Sequence, residues 1–253
     1  MILEEFDTNK KAIINPEELN LPLPNFPEVA VSCFARETFA RMLADFDSQL
    51  LTSVSMANIV IPIYKIEVEG KSLAVFNAPV GAPTCVAILE DVIALGAKKI
   101  VLFGTCGILD ENIEETSIII PTSALRDEGT SYHYAPASRE IETNQGVQEF
   151  LLRFFEKRNI SYLLGKVWTT DGIYRETVKK LLQRKEEGAI CVDMEASAVA
   201  ALSAFRNIPI CHFFYAADHL SEEKWDARNL SNHADLDEKD KIANLAISIA
   251  LEI

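Results

Sequence analysis

Two carboxylates lie where a strand-like run meets a helix-like run, a position suited to ligand binding. Asp193 and Glu195 follow the apolar residues 189–192 and precede the small residues 196–205. These runs are typical of a core strand and a tightly packed helix, and open α/β sheets bind ligands at the carboxyl ends of their strands. We expect Glu195 to accept hydrogen bonds from two vicinal hydroxyl groups. The alternative, a first-turn carboxylate favoured by the helix dipole, suits Asp193.

A third carboxylate and a glycine-rich segment follow two other apolar runs. Asp218 comes after residues 210–217, which predicts a desolvated carboxyl group able to act as a general acid, although a loop-capping aspartate has the same pattern. Residues 104–107 read Gly-Thr-Cys-Gly and are predicted to form a turn after the strand 99–103. Gly104 lets the backbone approach a ligand closely and Thr105 adds a hydroxyl group, while an ordinary left-handed turn is the alternative.

Strands and helices that alternate along the chain must position these groups. We predict strands at 29–33, 59–68, 72–78, 99–103, 116–120, 164–169, 189–192 and 209–215, and helices at 36–45, 83–95, 145–157, 175–185, 196–206 and 239–251. The tight turn at 69–71 indicates an antiparallel hairpin. The predicted fold class is α/β, a three-layer sandwich with a mixed, largely parallel central sheet flanked by helices. Residues 1–28 are punctuated by prolines and predict an N-terminal arm, followed by a single domain over 29–253.

Net charge, cysteine spacing and hydropathy limit which partners and locations we expect for this protein. The 253 residues carry a formal net charge of −14, which argues against nucleic acid or an anionic membrane and favours a small-molecule ligand. Five cysteines without metal-site spacing predict reduced core residues and no metal. Because we find neither a signal-like start nor an apolar run of about 20 residues, we expect a cytoplasmic protein.

The chain resembles the nucleoside phosphorylase and nucleosidase superfamily from residue 29 onward. Six segments in the family's order carry the resemblance: 81–84 (Gly-Ala-Pro-Thr), 103–107 (Phe-Gly-Thr-Cys-Gly), 126–134 (Arg-Asp-Glu-Gly-Thr-Ser-Tyr-His-Tyr), 169–174 (Thr-Thr-Asp-Gly-Ile-Tyr), 192–196 (Val-Asp-Met-Glu-Ala) and 217–218 (Ala-Asp). The resemblance implies a mixed central sheet, a nucleoside substrate and a homo-oligomer, from dimer to hexamer. It implies no cofactor, apart from inorganic phosphate as the co-substrate of a phosphorylase.

The resemblance also implies roles for individual residues. Glu195 matches the carboxylate that binds the ribose 2′ and 3′ hydroxyls, and Met194 matches the methionine that packs on the sugar. Asp218 matches the aspartate that protonates the departing purine. Thr105, beside Gly104, matches the residue that contacts phosphate in phosphorylases or the ribosyl side in hydrolases.

Further residues are assigned to the base side of the site. Ile173 stands where the family stacks an aromatic ring on the base, so Tyr174 or Tyr215 would have to supply that ring. Arg228 is expected to orient Asp218. Asp193 completes the set of residues expected to bind substrate.

The nucleophile is indicated by a departure from the phosphorylase pattern. Phosphorylases carry Gly-Asp-Pro-x-Arg after the first strand, whereas residues 33–37 read Cys-Phe-Ala-Arg-Glu here, and Leu102 replaces a second phosphate arginine. A carboxylate beside a phosphate dianion is repulsive in a low-dielectric cleft. Glu37 instead matches the glutamate that activates water in methylthioadenosine-type nucleosidases, which gives a general base opposite the acid Asp218.

These residues predict an enzyme that cleaves the N-glycosidic bond of a purine-type nucleoside, with hydrolysis favoured over phosphorolysis. Phosphorolysis by a purine or uridine phosphorylase, giving ribose 1-phosphate, stays open because Arg36 lies one position from Glu37 and residues 126–134 resemble phosphorylases. A non-catalytic nucleoside or nucleobase binder is a further alternative, since a fold does not by itself establish activity. A ribosyl or deoxyribosyl transferase also stays open.

Overall fold

The computed structural model describes residues 2–230 and 233–253. The strands are β1 (Val29–Cys33), β2 (Ser48–Met56), β3 (Ile59–Val68), β4 (Lys71–Asn77), β5 (Lys99–Ile108), β6 (Ile118–Asp127), β7 (Glu140–Glu142), β8 (Leu163–Thr170), β9 (Ala189–Asp193), β10 (Ile210–Leu220) and β11 (Trp225–Asp226). The α-helices are α1 (Pro16–Leu19), α2 (Arg36–Ala44), α3 (Ala82–Leu95), α4 (Gln145–Lys157), α5 (Val178–Glu186), α6 (Ala196–Arg206) and α7 (Leu236–Glu252), with 3-10 helices at Ile2–Glu4, Thr130–His133 and Ile173–Arg175. The predicted α/β class, a mixed sheet flanked by helices, is confirmed.

The sheet closes on itself around β5. Its strand order is β11-β10-β6-β8-β9-β5-β1-β4-β3-β2, with β7 added to β6, and β5 also pairs with β10. A closed barrel is therefore formed by β5, β10, β6, β8 and β9. The sheet continues beyond the barrel as an open extension made of β1, β4, β3 and β2. Closure removes the exposed strand edges that an open sheet would leave on that side. The sequence did not predict it, because no local pattern records which distant strands pair.

Strand β5 is central because both of its faces are covered. Val101 and Phe103 join an apolar cluster with α2, α4 and α7, whereas Ile100 and Leu102 join a second cluster with α3 and α6. A continuous apolar run is what a strand buried on both faces requires. The run 99–103 therefore predicted the strand correctly, but not its end.

Two local predictions were wrong. Residues 104–107 form no turn, because β5 continues to Ile108 and neither Gly104 nor Gly107 has a positive φ. Strand β2 was not predicted, since this edge strand is mostly accessible and mixes polar with apolar residues. The predicted hairpin is confirmed, with β3 and β4 antiparallel across Glu69 and Gly70.

Several of the first 28 residues contact α3 and α6. Asn20 Nδ2 donates to Asp91 Oδ1 at 2.7 Å, and Phe26 is buried in the cluster of α3. The Phe6 ring lies 6.5 Å from the ring of Phe205 in α6. Among the described residues, no helix is both long and apolar enough to span a bilayer.

Candidate active site

The carboxyl ends of β1, β9 and β10 meet on the second half of β5. The register pairs that define this junction are Cys33 with Phe103, Ala216 with Cys106, and Val192 with Gly107. Because β9 runs antiparallel to β5, the chain after Val192 runs back along β5 toward Thr105. The side chain of Thr105 is half-buried. The structure thus brings the strand segments that precede Glu37, Asp193 and Asp218 to the segment 103–107 of β5.

Glu195 lies at the start of α6 and is almost fully buried, with 5% of its surface exposed. Its Oε1 accepts a hydrogen bond from Gly81 N at 2.5 Å. Gly81 is the N-cap residue of α3 and has a φ of +99°, a conformation that favours glycine. Burial, and then the charge of Asp193, raise the pKa of Glu195 to about 8. Met194 is half-buried beside it. A buried carboxylate with spare acceptor capacity suits hydroxyl donors.

Asp193 organises the first turn of α6. Its Oδ2 accepts from Glu195 N at 2.9 Å and from Ala196 N at 2.6 Å, while its Oδ1 accepts from Thr169 Oγ1 at 2.7 Å. Burial raises its pKa to about 6, although these three hydrogen bonds oppose the shift. Both oxygens accept from donors of the same chain, which favours the predicted first-turn role of Asp193 over its predicted role in binding substrate. It holds Glu195 in place instead.

Asp218 lies near the end of β10 and is half-buried, not fully desolvated as expected. Its Oδ2 accepts from Trp225 Nε1 at 2.7 Å. The prediction that Arg228 orients Asp218 was wrong, because Arg228 Nη1 donates to Ile113 O at 3.0 Å. Sequence reasoning missed Trp225, although an isolated tryptophan in the charged segment 221–226, seven residues after Asp218, was a usable signal.

Glu37 lies in the first turn of α2, directly after β1. Its side chain is half-buried, whereas that of Arg36 is exposed. No hydrogen bond occupies the Glu37 carboxylate within the described parts of the chain. Between β1 and α2, the Phe34 ring approaches β5 so closely that a Cβ on Gly104 would lie 2.6 Å from Phe34 Cδ2. Gly104 therefore permits the close approach expected of it, although the partner here is Phe34.

The residues expected on the base side differ in accessibility. Ile173 and Tyr174 lie on an exposed 3-10 turn, with 55% and 94% of their surfaces accessible. Tyr215 is only 1% exposed and belongs to the core, so it cannot supply a stacking ring. Glu176 follows this turn, and burial, then the charge of Asp218, raise its pKa to about 7. It was also missed from the sequence.

Most of the chain matches the model of one known protein family. Residues 35–252 match the family model of the phosphorylase superfamily. The chain belongs to this superfamily. The resemblance inferred from the six segments is thereby confirmed.

The chain is also similar to two known structures and to one curated relative. Uridine phosphorylase from Vibrio fischeri ES114 superposes with a TM-score of 0.74 at 18% identity, over 96% of this chain and 98% of that chain. A futalosine hydrolase mutant of Helicobacter pylori strain 26695 gives 0.69 at 15%, over 90% and 100%. Guanosine phosphorylase of Halorubrum lacusprofundi is 24% identical over 157 residues, covering 62% of this chain but only 64% of that relative's length.

The phosphorylase-like segment 126–134 has a structural role in this superfamily member. The guanidinium of Arg126 donates to Ser131 Oγ at 2.9 Å and to Pro136 O at 2.6 Å. Glu128 accepts from Ser131 N and from Ser197 Oγ, both at 2.9 Å. Because Ser197 belongs to α6, the segment supports the helix that carries Glu195. The guanidinium of Arg126 is bound by neighbouring oxygens. The presence of this segment therefore does not indicate whether phosphate or water is the nucleophile.

Proposed function

We propose that this protein cleaves the N-glycosidic bond of a purine-type nucleoside, with water as the favoured acceptor. One observation carries the proposal: a buried carboxylate, Glu195, is held by Gly81 N where strand ends converge, within the structural frame that also carries Asp218. The relative named guanosine phosphorylase supports a purine base.

In the proposed reaction, Glu195 binds the ribose diol and Met194 packs against the sugar. Thr105 contacts the ribosyl side. Asp218 gives a proton to the base as the bond between C1′ and nitrogen breaks, and the bonding electron pair leaves with the base. Glu37 takes a proton from the water that attacks C1′, so that free ribose forms. Two carboxyl groups then share the acid and base work, as in glycosidases.

The composition of the β1–α2 junction supports hydrolysis over phosphorolysis. Glu37 stands where phosphorylases carry an arginine, and Leu102 is fully buried in the cluster under α3 and α6. A phosphate dianion is best bound by cationic or bidentate donors. Phosphorolysis remains the second candidate because Arg36 is accessible at the same junction and two of the similar proteins are named phosphorylases.

The experiment is to incubate a nucleoside panel with the protein, with and without inorganic phosphate, and to identify the sugar product. Free ribose in both conditions supports Glu37 as the general base, whereas ribose 1-phosphate formed only with phosphate establishes the second candidate. Glu195→Ala and Asp218→Ala should each abolish base release. Calorimetric nucleoside binding without base release in either condition would instead establish a non-catalytic binder.

We also propose that the protein assembles into an oligomer. A homo-oligomer, from dimer to hexamer, is supported by large apolar side chains in the first 28 residues, such as Ile13 and Ile14, which are 98% and 70% exposed. Light scattering on the purified protein measures the subunit number. A cytoplasmic location, a reaction without a resident cofactor or metal, and an arm over 1–28 before a domain over 29–253 stay predictions.

A further inference from the structure

The carboxyl group of Asp218 is held from two sides. Its Oδ2 accepts the indole hydrogen of Trp225 Nε1 at 2.7 Å. Its Oδ1 lies against β5, where a Cβ on Gly107 would be 3.3 Å from it. The same Cβ would be only 2.6 Å from Leu220 Cδ1, so Gly107 leaves the space that both side chains occupy.

The hydrogen-bond donor, Trp225, lies on β11, which pairs with the end of β10. Leu220 pairs with Trp225 across this hairpin. The turn between them is closed by Ser221 N, which donates to Lys224 O at 3.0 Å, and by Ser221 Oγ, which donates to the same oxygen at 2.9 Å. The indole therefore reaches Asp218 because of a short, internally bonded turn.

The location of Trp225 does not indicate a core-packing role. Trp225 is 60% exposed, and with Glu176, Leu181 and Leu220 it lines a cleft of about 210 Å³. A large aromatic ring in such a position gains little from burial. Its hydrogen bond to Asp218 is the directional contact that fixes it.

We propose that Trp225 is a positioning residue for the acid, an inference that rests on the proposed function. An indole nitrogen donates a hydrogen bond and cannot accept one. Oδ2 is therefore kept as an acceptor, and the transferable proton resides on Oδ1. When that proton passes to the departing base, Asp218 becomes a carboxylate, and the bond from Trp225 strengthens because its acceptor is now charged. An interaction that strengthens toward the transition state raises kcat more than it lowers KM.

The test is Trp225→Phe, which keeps an aromatic ring and removes the donor. We expect kcat for guanosine to fall by about ten- to hundredfold, the range for one hydrogen bond to a charged group, with KM changed less than about twofold. For 7-methylguanosine, whose base is already cationic and leaves without accepting a proton, kcat should fall less than about threefold. Glu223→Gln, an exposed change in the same turn, serves as the control.

A spectroscopic readout keeps the test independent of turnover. The chain has two tryptophans, and the other, Trp168, donates to Asp127 Oδ2 at 3.0 Å. In a proton–nitrogen correlation spectrum, Asp218→Ala should move the Trp225 indole signal and leave that of Trp168 in place. An unmoved Trp225 signal, an equal loss on both nucleosides, or no loss on guanosine would overturn the inference. If the wild-type protein cleaves no purine nucleoside of the panel, the proposed function fails, while the spectrum still decides whether Trp225 binds Asp218.

Discussion

Replacing Glu195 by glutamine tests two properties of this side chain: the free energy that ionising a buried carboxyl group costs, and its proposed role in binding the sugar. Glu195 is 5% exposed, and burial followed by the charge of Asp193 raises its pKa from 4.5 to about 8. Since one pKa unit corresponds to about 1.4 kcal/mol, this shift means that ionising Glu195 in the folded protein costs about 5 kcal/mol more than in the unfolded chain. A buried acid of this kind is tolerated when it serves a ligand.

The sign of the pH dependence follows from linkage. The folded state binds the Glu195 proton more tightly than the unfolded chain does, so this contribution to stability is complete below about pH 4.5 and is lost as pH rises through about 8. Between pH 6 and pH 9 the loss amounts to about 2 to 3 kcal/mol. Glu195→Gln has no such proton to lose. Its free energy of unfolding should therefore fall less over this range.

Urea unfolding of both proteins at pH 6 and pH 9 measures this difference. Glu67→Gln is the control, because Glu67 is an exposed carboxylate paired with Lys65 at 3.1 Å. In activity assays at pH 9, where Glu195 is mostly ionised, Glu195→Gln should lose about 10- to 150-fold in kcat/KM, since it removes a charged acceptor worth about 1.5 to 3 kcal/mol per hydrogen bond. Identical pH dependence in variant and wild type would refute the reasoning about burial, and full activity would refute the sugar role.

Three further predictions concern the elements that position the site. Gly107→Ala should lower both activity and the free energy of unfolding, by about 1 to 3 kcal/mol, because its Cβ would overlap Leu220 Cδ1 at 2.6 Å; unchanged urea unfolding would contradict this. Gly81→Ala should lower the free energy of unfolding by about 1 to 3 kcal/mol, because the φ of Gly81 is +99°. Gly146→Ala, in the first turn of α4, should leave this free energy unchanged or raise it by up to about 1 kcal/mol. Equal melting temperatures for the two variants would argue against backbone strain at Gly81. Asp193→Asn should destabilise the fold by about 1 to 3 kcal/mol, because an amide cannot keep all three donors; a variant as stable as wild type would show that these hydrogen bonds are replaceable.

Much of the local structure was predictable because its causes lie within short segments. Helices α4 and α6 were predicted with their observed bounds, Gln145–Lys157 and Ala196–Arg206. In α4 the apolar residues recur with helical spacing, and Asn144 accepts from Val147 N as the N-cap. In α6 the small side chains predicted a helix packed tightly against the sheet.

The sequence by itself determined the superfamily, the α/β class and the residue types at the strand ends, because these depend on short motifs and local periodicity. Only the tertiary structure decided what each polar group contacts. It joined Asp193 to Thr169 and to the first turn of α6, separated Arg228 from Asp218, and supplied Trp225 in its place. It also extended β5 through Gly104 and closed the barrel. These outcomes depend on which distant strands pair, and hydrogen bonds across such pairs leave no local pattern in the chain.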